Sequence, residues 1–289
     1  MSQTKHMNKQ GPNPSGGPQG TRSARRVLVT GGALRLGAAI CQTFAAGGWD
    51  VICHYRSGKD QAQALCQQLR GAGHNASAVY ADLALNSDCV SMMDAIEAGH
   101  GRLDCLVNNA SLFVADSGSD FDAAEAASQL QVNLLAPLTL AKLMARSLGP
   151  GGANPDRSGQ DACVIHILDQ KVFNLNPDYF SYTLSKLALE RAVSLQAQAL
   201  APILRVCGVA PGLMYQSGPQ TPGNFALAAS ANLMRRPIDP QDVARACLFL
   251  AGTQSITGAT LCVDNGQHLV PLPRDIMFVA EELLKKPSP

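Results

Sequence analysis

The sequence predicts an α/β fold, a mainly parallel sheet wound in both directions and covered by helices on both faces. Three observations point to it. Short apolar runs of strand length alternate with stretches of helical periodicity between residues 26 and 266. Those runs are apolar throughout rather than at every second residue, as in strands buried on both sides. No internal repeat divides the 289 residues, so one large domain accounts for the chain.

Residues 1–24 are polar and rich in Gly, Pro and Asn, and read as a disordered tail. Their lack of acids, with Arg22, Arg25 and Arg26 near the end, also fits a transit peptide. "RRVLVTGG" is a buried strand meeting a glycine turn, and "LGAAICQTFAAGG" a helix closed by Gly47 and Gly48. "WDVICHYR" is the second strand, "KDQAQALCQQLRGAG" the second helix and "NASAVYADL" the third strand. "SDCVSMMDAIEAGHG" follows as a helix, "LDCLVNNAS" as the fourth strand, and "FDAAEAASQLQVNLLAPLTLAKLMARSL" as one long helical stretch. "ACVIHIL" and "LRVCGVAPG" are strands on either side of the helix "YFSYTLSKLALERAVSLQAQAL". "DPQDVARACLFLAG" is a helix with an Asp cap, and "TLCVDNG" the last strand. The domain so defined spans residues 25–272. Residues 273–289 form an extension whose apolar positions predict a helix that packs elsewhere, for instance on a neighbouring subunit.

The formal net charge of +1 supplies no field for capturing nucleic acid. No apolar run reaches the roughly 18 residues that would mark a membrane span. The nine cysteines are scattered without a C-x-x-C pair, and the six histidines lack ligand spacing. Buried, reduced thiols in a cytoplasmic protein follow, and no metal site is assigned.

In sheets of this kind ligands gather at the carboxyl ends of the strands. The first such end carries "TGGALRLG", where Gly31, Leu36 and Gly37 let a pyrophosphate approach the helix N-terminus and Arg35 adds a guanidinium. The second carries His54, Tyr55, Arg56 and Ser57 where an NAD-preferring fold places an acid. A base without the acid favours the 2′-phosphate of NADP. At the third, Asp82 and Leu83 either bracket an adenine or cap the next turn. Asn109, Ala110 and Ser111 close the fourth. Tyr182 and Lys186 share one helix face, so the ammonium is expected to pull the tyrosine's pKa down toward neutrality. Tyr179 lies seven residues from Lys186 and offers only a longer reach.

Taken together, "TGGALRLG", "NNAS", Asn133 in "QVNLLAP", "YTLSK" and "VAPG" resemble the short-chain dehydrogenase/reductase family over residues 25–271. The resemblance implies a single Rossmann-type domain binding a nicotinamide cofactor. It makes Tyr182 the proton donor, has Lys186 hold the nicotinamide ribose and tune Tyr182, and has Asn133 support a relaying water. It places Pro211 and Gly212 over the nicotinamide.

The family's usual serine, thirteen residues before the tyrosine, is Asp169 here. An ionised carboxylate has no proton for a ketone, yet it suits a heterocycle presenting N–H donors. With "HYRS" and "NNASLF", this is similar to the pteridine reductase branch, which uses NADPH to reduce dihydropterins and in some cases folates. That implies a substrate site of Arg35, Phe113, Asp169, Tyr182 and Leu213, with Phe113 stacking on the flat ring. It also implies a homo-oligomer, a dimer or tetramer. The alternatives are a reductase of simple carbonyl compounds and a non-catalytic NADP-binding sensor. Two further features are an Asn265 at a turn that usually carries glycine and a long loop at 213–234, read as a mobile substrate lid.

Overall fold

The side chains of Val27, Leu28 and Val29 are wholly buried, and they alternate between two separate apolar cores. That alternation is what a central strand with helices on both sides requires. The computed structural model describes residues 25–149, 162–217 and 220–285. The expected tail and transit segment at 1–24 therefore lie outside the described residues.

Seven strands form one parallel sheet among these residues: β1 (Arg26–Val29), β2 (Asp50–Tyr55), β3 (Ala76–Tyr80), β4 (Cys105–Asn108), β5 (Cys163–Ile167), β6 (Arg205–Pro211) and β7 (Thr260–Val263). Their order is β3-β2-β1-β4-β5-β6-β7, every neighbouring pair parallel. The strand order reverses direction between β1 and β4, so the crevice for a ligand opens above those two. The doubly wound fold is as the sequence predicts.

One core lies under α1 (Arg35–Ala46), α2 (Lys59–Gly71) and α8 (Pro240–Gly252). The other lies under α3 (Asn86–His100), α5 (Ala136–Leu148) and α6 (Phe180–Leu200). All nine cysteines are unpaired, eight of them buried and Cys262 exposed.

Two elements differ from the sequence reading. The long helical stretch is α4 (Ala123–Leu130) and α5 separated by a π-helical turn at Gln131–Leu135. Pro137 explains it, because proline has no N–H for the carbonyl of Asn133 four residues back and its ring crowds that carbonyl. The expected open loop at 213–234 carries α7 (Pro222–Ala229), capped by the Thr221 hydroxyl, which accepts from Asn224 N–H at 3.2 Å. Thr-Pro followed by Gly-Asn-Phe-Ala-Leu-Ala-Ala is a helix start and a helix body.

Finally, α9 (Ile276–Lys285) packs on α7 of its own chain rather than requiring a neighbour. Asn265 adopts φ 53°, the left-handed backbone that asparagine tolerates in place of glycine.

Candidate active site

The turn after β1 is built by hydrogen bonds that bind it to β2 and β4. The Thr30 hydroxyl oxygen accepts from Asn109 N–H at 2.9 Å and Ala110 N–H at 3.0 Å. Asn109 Nδ2 donates back to the carbonyls of Thr30 and Gly31 at 2.9 and 3.1 Å. From β2, the buried His54 accepts Gly31 N–H on Nδ1 at 3.0 Å and donates from Nε2 to Ala81 O at 3.1 Å. Burial holds the His54 pKa below its usual value, which keeps the ring neutral as both bonds require. His54, expected to meet the cofactor directly, spends its polar atoms on the scaffold. Nothing in the local sequence marks Thr30 for its part.

Gly37 is obligatory: a Cβ there would land on the Gly31 carbonyl and come within 2.9 Å of Asn109 Nδ2. No side chain caps α1 and its first turn holds no acid, so its first N–H groups face a cavity unsatisfied by protein side chains. That cavity has a volume of about 560 Å³. It is lined by Gly31, Arg35, Leu36, Gly37, His54, Tyr55, Arg56, Ser57, Asp82, Leu83, Asn109, Ala110 and Ser111, thirteen of the sixteen residues expected for the cofactor; the other three, Lys186, Pro211 and Gly212, line the neighbouring cavity. Arg56 and Ser57 are exposed at its rim. Asp82 caps the next turn, its Oδ1 accepting from Ala84 N–H at 3.0 Å, and the residue also lines the cavity.

The Arg35 backbone lies at φ 50°, unusual for a non-glycine residue, and its guanidinium sits 5.9 Å from the Tyr215 ring centroid. Arg35 also borders a second cavity of about 310 Å³. Here the structure gathers Phe113, Asp169, Tyr182, Lys186, Pro211, Gly212 and Leu213. The Tyr182 hydroxyl donates to Asp169 Oδ2 at 2.8 Å, and Asp169 Oδ1 accepts from Lys171 N–H at 2.8 Å. Lys186 Nζ, buried, donates to the Ile167 carbonyl at 2.8 Å and lies 5.7 Å from the Tyr182 ring centroid. Phe113 stacks on Tyr179 at 4.1 Å and meets Tyr182 edge-on at 4.6 Å.

The electrostatics depart from the expectation in one respect. Burial first, then the neighbouring Asp169 carboxylate, push the Tyr182 pKa well above 10 rather than down. Burial likewise raises Asp169, and it lowers Lys186 to about 8. The phenol therefore keeps its proton at neutral pH, hydrogen-bonded to the carboxylate.

Asn133 sits on the π turn with its side chain fully committed. Its Oδ1 accepts from Leu112 N–H at 2.7 Å and the Ser111 hydroxyl at 3.2 Å. Its Nδ2 donates to Leu112 O at 2.9 Å and to Ser185 Oγ at 3.0 Å. The side chain therefore fixes the strand end beside the cofactor cavity, and any water relay must use the main chain. Among the described residues no cluster of His, Cys, Asp or Glu is arranged to hold a metal ion.

A family model described as Enoyl-(Acyl carrier protein) reductase matches residues 32–268. The chain belongs to the short-chain dehydrogenase/reductase family. This dehydrogenase/reductase is similar to 3beta-hydroxysteroid dehydrogenase 1 of Eggerthella lenta, 30% identical over 86% of this chain and 95% of that one. It is 29% identical to Pteridine reductase 1 of Leishmania tarentolae over 84% of this chain and 96% of the relative. Among solved structures it resembles FolM Alternative dihydrofolate reductase 1 from Brucella canis, crystallised with NADP. There the identity is 37% and the TM-score 0.79, over 86% of this chain and 95% of that one.

Proposed function

We propose that the protein is an NADPH-dependent reductase of a pterin-like heterocycle, a dihydropterin or a folate. One observation carries the reading. Where a carbonyl reductase of this family presents a serine hydroxyl, the substrate cavity presents a carboxylate bonded to the catalytic phenol at 2.8 Å. A carboxylate accepts from ring N–H and amino groups, which pterins offer and simple ketones lack. The pteridine reductase and alternative dihydrofolate reductase relatives support the same substrate class.

The first cavity fits the cofactor. Gly31 and Gly37 let the chain approach the pyrophosphate, the N-terminus of α1 faces it, and Arg56 with Ser57 meets a 2′-phosphate. NADPH, when bound, supplies hydride to the carbon of the substrate's C=N bond. The protein's part is the proton. Tyr182 holds it as a neutral phenol and delivers it to the ring nitrogen, while Asp169 orients the amino-bearing edge and a proton from solvent water restores the phenol. Lys186 is placed to grip the nicotinamide ribose, and Phe113 to cover the flat ring.

Two finer readings belong to the same proposal. The nine unpaired thiols support a reducing, cytoplasmic location. Exposed Leu184 and Leu195 on α6 and Phe249 on α8 support a homo-oligomer, a dimer or tetramer. No helix of the described residues is long and apolar enough to cross a membrane.

NADPH oxidation with a panel of dihydropterins, dihydrofolate and ketones tests the assignment. Turnover with pterins falls about 10²–10⁴-fold in Tyr182→Phe, the range for losing a positioned acid. Asp169→Ser loses pterin turnover and gains on ketones. A ketone-reducing wild type, for which the 3beta-hydroxysteroid dehydrogenase relative is the precedent, would overturn the substrate class. NADPH binding without any turnover would make the chain a sensor.

A further inference from the structure

The second cavity has a wall that no motif announces, the segment leading into the C-terminal helix. Asp275, Ile276 and Met277 line it together with Asp169 and Tyr182. Three attachments hold this segment. Arg274 Nε donates to both carboxylate oxygens of Asp178 at 2.9 and 2.8 Å, and Asp275 N–H donates to Asp178 Oδ2 at 2.7 Å. Asn224 on α7 donates from Nδ2 to the Met277 carbonyl at 2.9 Å. Lys171 Nζ donates to Asp275 Oδ2 at 2.9 Å and to Asn176 Oδ1 at 2.7 Å.

These attachments are unequal. The Arg274 side chain is 46% exposed, and an ion pair so open to water holds little. The Lys171 and Asp275 side chains are only 3% and 16% exposed. Removing either partner there strands a charge away from water, so this pair resists opening. Asp275 Oδ1 also accepts from Met277 N–H at 3.1 Å, which sets the first turn of α9. Lys171 has a second attachment of consequence, since its backbone N–H holds Asp169 Oδ1 at 2.8 Å. One residue thus ties the reactive carboxylate, through its main chain, to the far wall of the cavity, through its side chain.

We infer that Lys171 and Asp275 form a buried latch that makes residues 274–277 a fixed wall of the substrate site and holds that wall in register with Asp169. The inference rests on the second cavity being the substrate site. Both are positioning residues, since neither side chain bonds Tyr182 or Asp169 and Lys171 reaches Asp169 through its backbone N–H alone. With the latch closed, the cavity of about 310 Å³ is shaped for the bicyclic ring and a short substituent. With it open, the ring loses one side of its slot and bulkier substituents gain room.

The test uses the full-length chain carrying Lys171→Met, Asp275→Asn, both together, and Asp275→Glu. Steady-state kinetics with a dihydropterin, NADPH titration by fluorescence, and hydrogen exchange over residues 275–280 are the readouts. Each single variant is expected to raise KM for the pterin about tenfold while kcat stays within about threefold. NADPH affinity, set mainly by the pyrophosphate and 2′-phosphate contacts of the other cavity, changes by less than about twofold. The double variant is no worse than the worse single one, because the two residues act as a unit. Asp275→Glu keeps the charge and stays near wild type. Exchange over residues 275–280 accelerates in both single variants. Unchanged KM and unchanged exchange would overturn the latch, and so would fully additive effects. If Lys171→Met does not fold, Asp275→Asn at the more open end of the pair carries the comparison. A wild type inactive on every dihydropterin would refute the substrate reading instead, and the exchange arm would still decide whether the latch exists.

Discussion

Lys186 should be a liability to the fold and a necessity to the reaction. The perturbation is Lys186→Met, which keeps the length and apolar stem of the side chain and removes the ammonium. Lys186 is 3% exposed, and burial lowers its pKa from 10.5 to about 8. At about 1.4 kcal/mol per pH unit, holding that ammonium in the folded chain at pH 7 costs roughly 3 kcal/mol. The variant also gives up the 2.8 Å bond to the Ile167 carbonyl, worth about 1 kcal/mol. A net gain of about 2 kcal/mol remains, or roughly 5 °C in melting temperature for a domain of this size.

The dependence on pH is more decisive than the gain. Below pH 8 the lysine is protonated in both folded and unfolded chains, and the full penalty is present. Between about 8 and 10.5 the unfolded chain holds a proton that the folded one has released, so folding becomes more favourable as pH rises. Above 10.5 both are neutral and the penalty is gone. Urea denaturation at pH 7 and at pH 10.5 should therefore show the variant ahead at the first and level or slightly behind at the second. Pterin reduction should be lost at both. A variant less stable than wild type at pH 7, or a difference that ignores pH, would refute the claim that Lys186 is a buried, strained cation.

Two other perturbations follow from the geometry. Arg56→Asp places an acid at the exposed end of β2, which should weaken NADPH about 10–100-fold and improve NADH, as read by fluorescence titration of both cofactors. An unchanged NADPH to NADH ratio would move the 2′-phosphate site elsewhere. His166, wholly buried, donates from Nε2 to Gln196 Oε1 at 3.0 Å and accepts from Asn108 Nδ2 on Nδ1 at 3.2 Å. Burial lowers its pKa to about 4, so the unfolded chain takes the proton first as pH falls. Up to about 3 kcal/mol of stability should disappear between pH 6.5 and 4, with a shallower slope in His166→Gln when denaturation midpoints are compared.

What could be read in the sequence was local. Strands buried on both faces announce themselves as apolar runs, which is why the five inner strands are legible, while the partly buried edge strands β3 and β7 are legible from their alternation with helices. Tyr182 and Lys186 share a face by helical periodicity alone, and the missing acid after Tyr55 is a statement about one position. The features that were not legible depend on partners distant in the chain. The Lys171–Asp275 pair spans 104 residues, and no pattern around either residue hints at the other. Thr30 looks like any strand-end threonine until β4 folds against it and supplies two N–H groups. The π turn is an intermediate case: Pro137 four residues after Asn133 is a visible signal, but only its hydrogen-bonding consequence says that the ladder must break there.

The raised pKa of Tyr182 bears on the state in which the site meets its substrate. A tyrosine that oxidises an alcohol must act as a base, so it needs a phenolate and hence a low pKa. A tyrosine that completes a reduction must arrive with its proton on. Burial and the Asp169 carboxylate both favour the protonated form, because a phenolate at that spot would lie against a like charge 2.8 Å away. Replacing the family's serine by aspartate therefore does two things with one substitution. It provides an acceptor for a nitrogen-rich ring, and it keeps the acid–base group in its protonated form at neutral pH. A hydroxyl at position 169 would accept from such a ring only as a neutral and weaker partner, and would set no charge beside the phenol. The carboxylate thus links the choice of substrate to the resting state of the acid–base group: the atom that accepts from the heterocycle is also the atom that holds the phenol's proton in place.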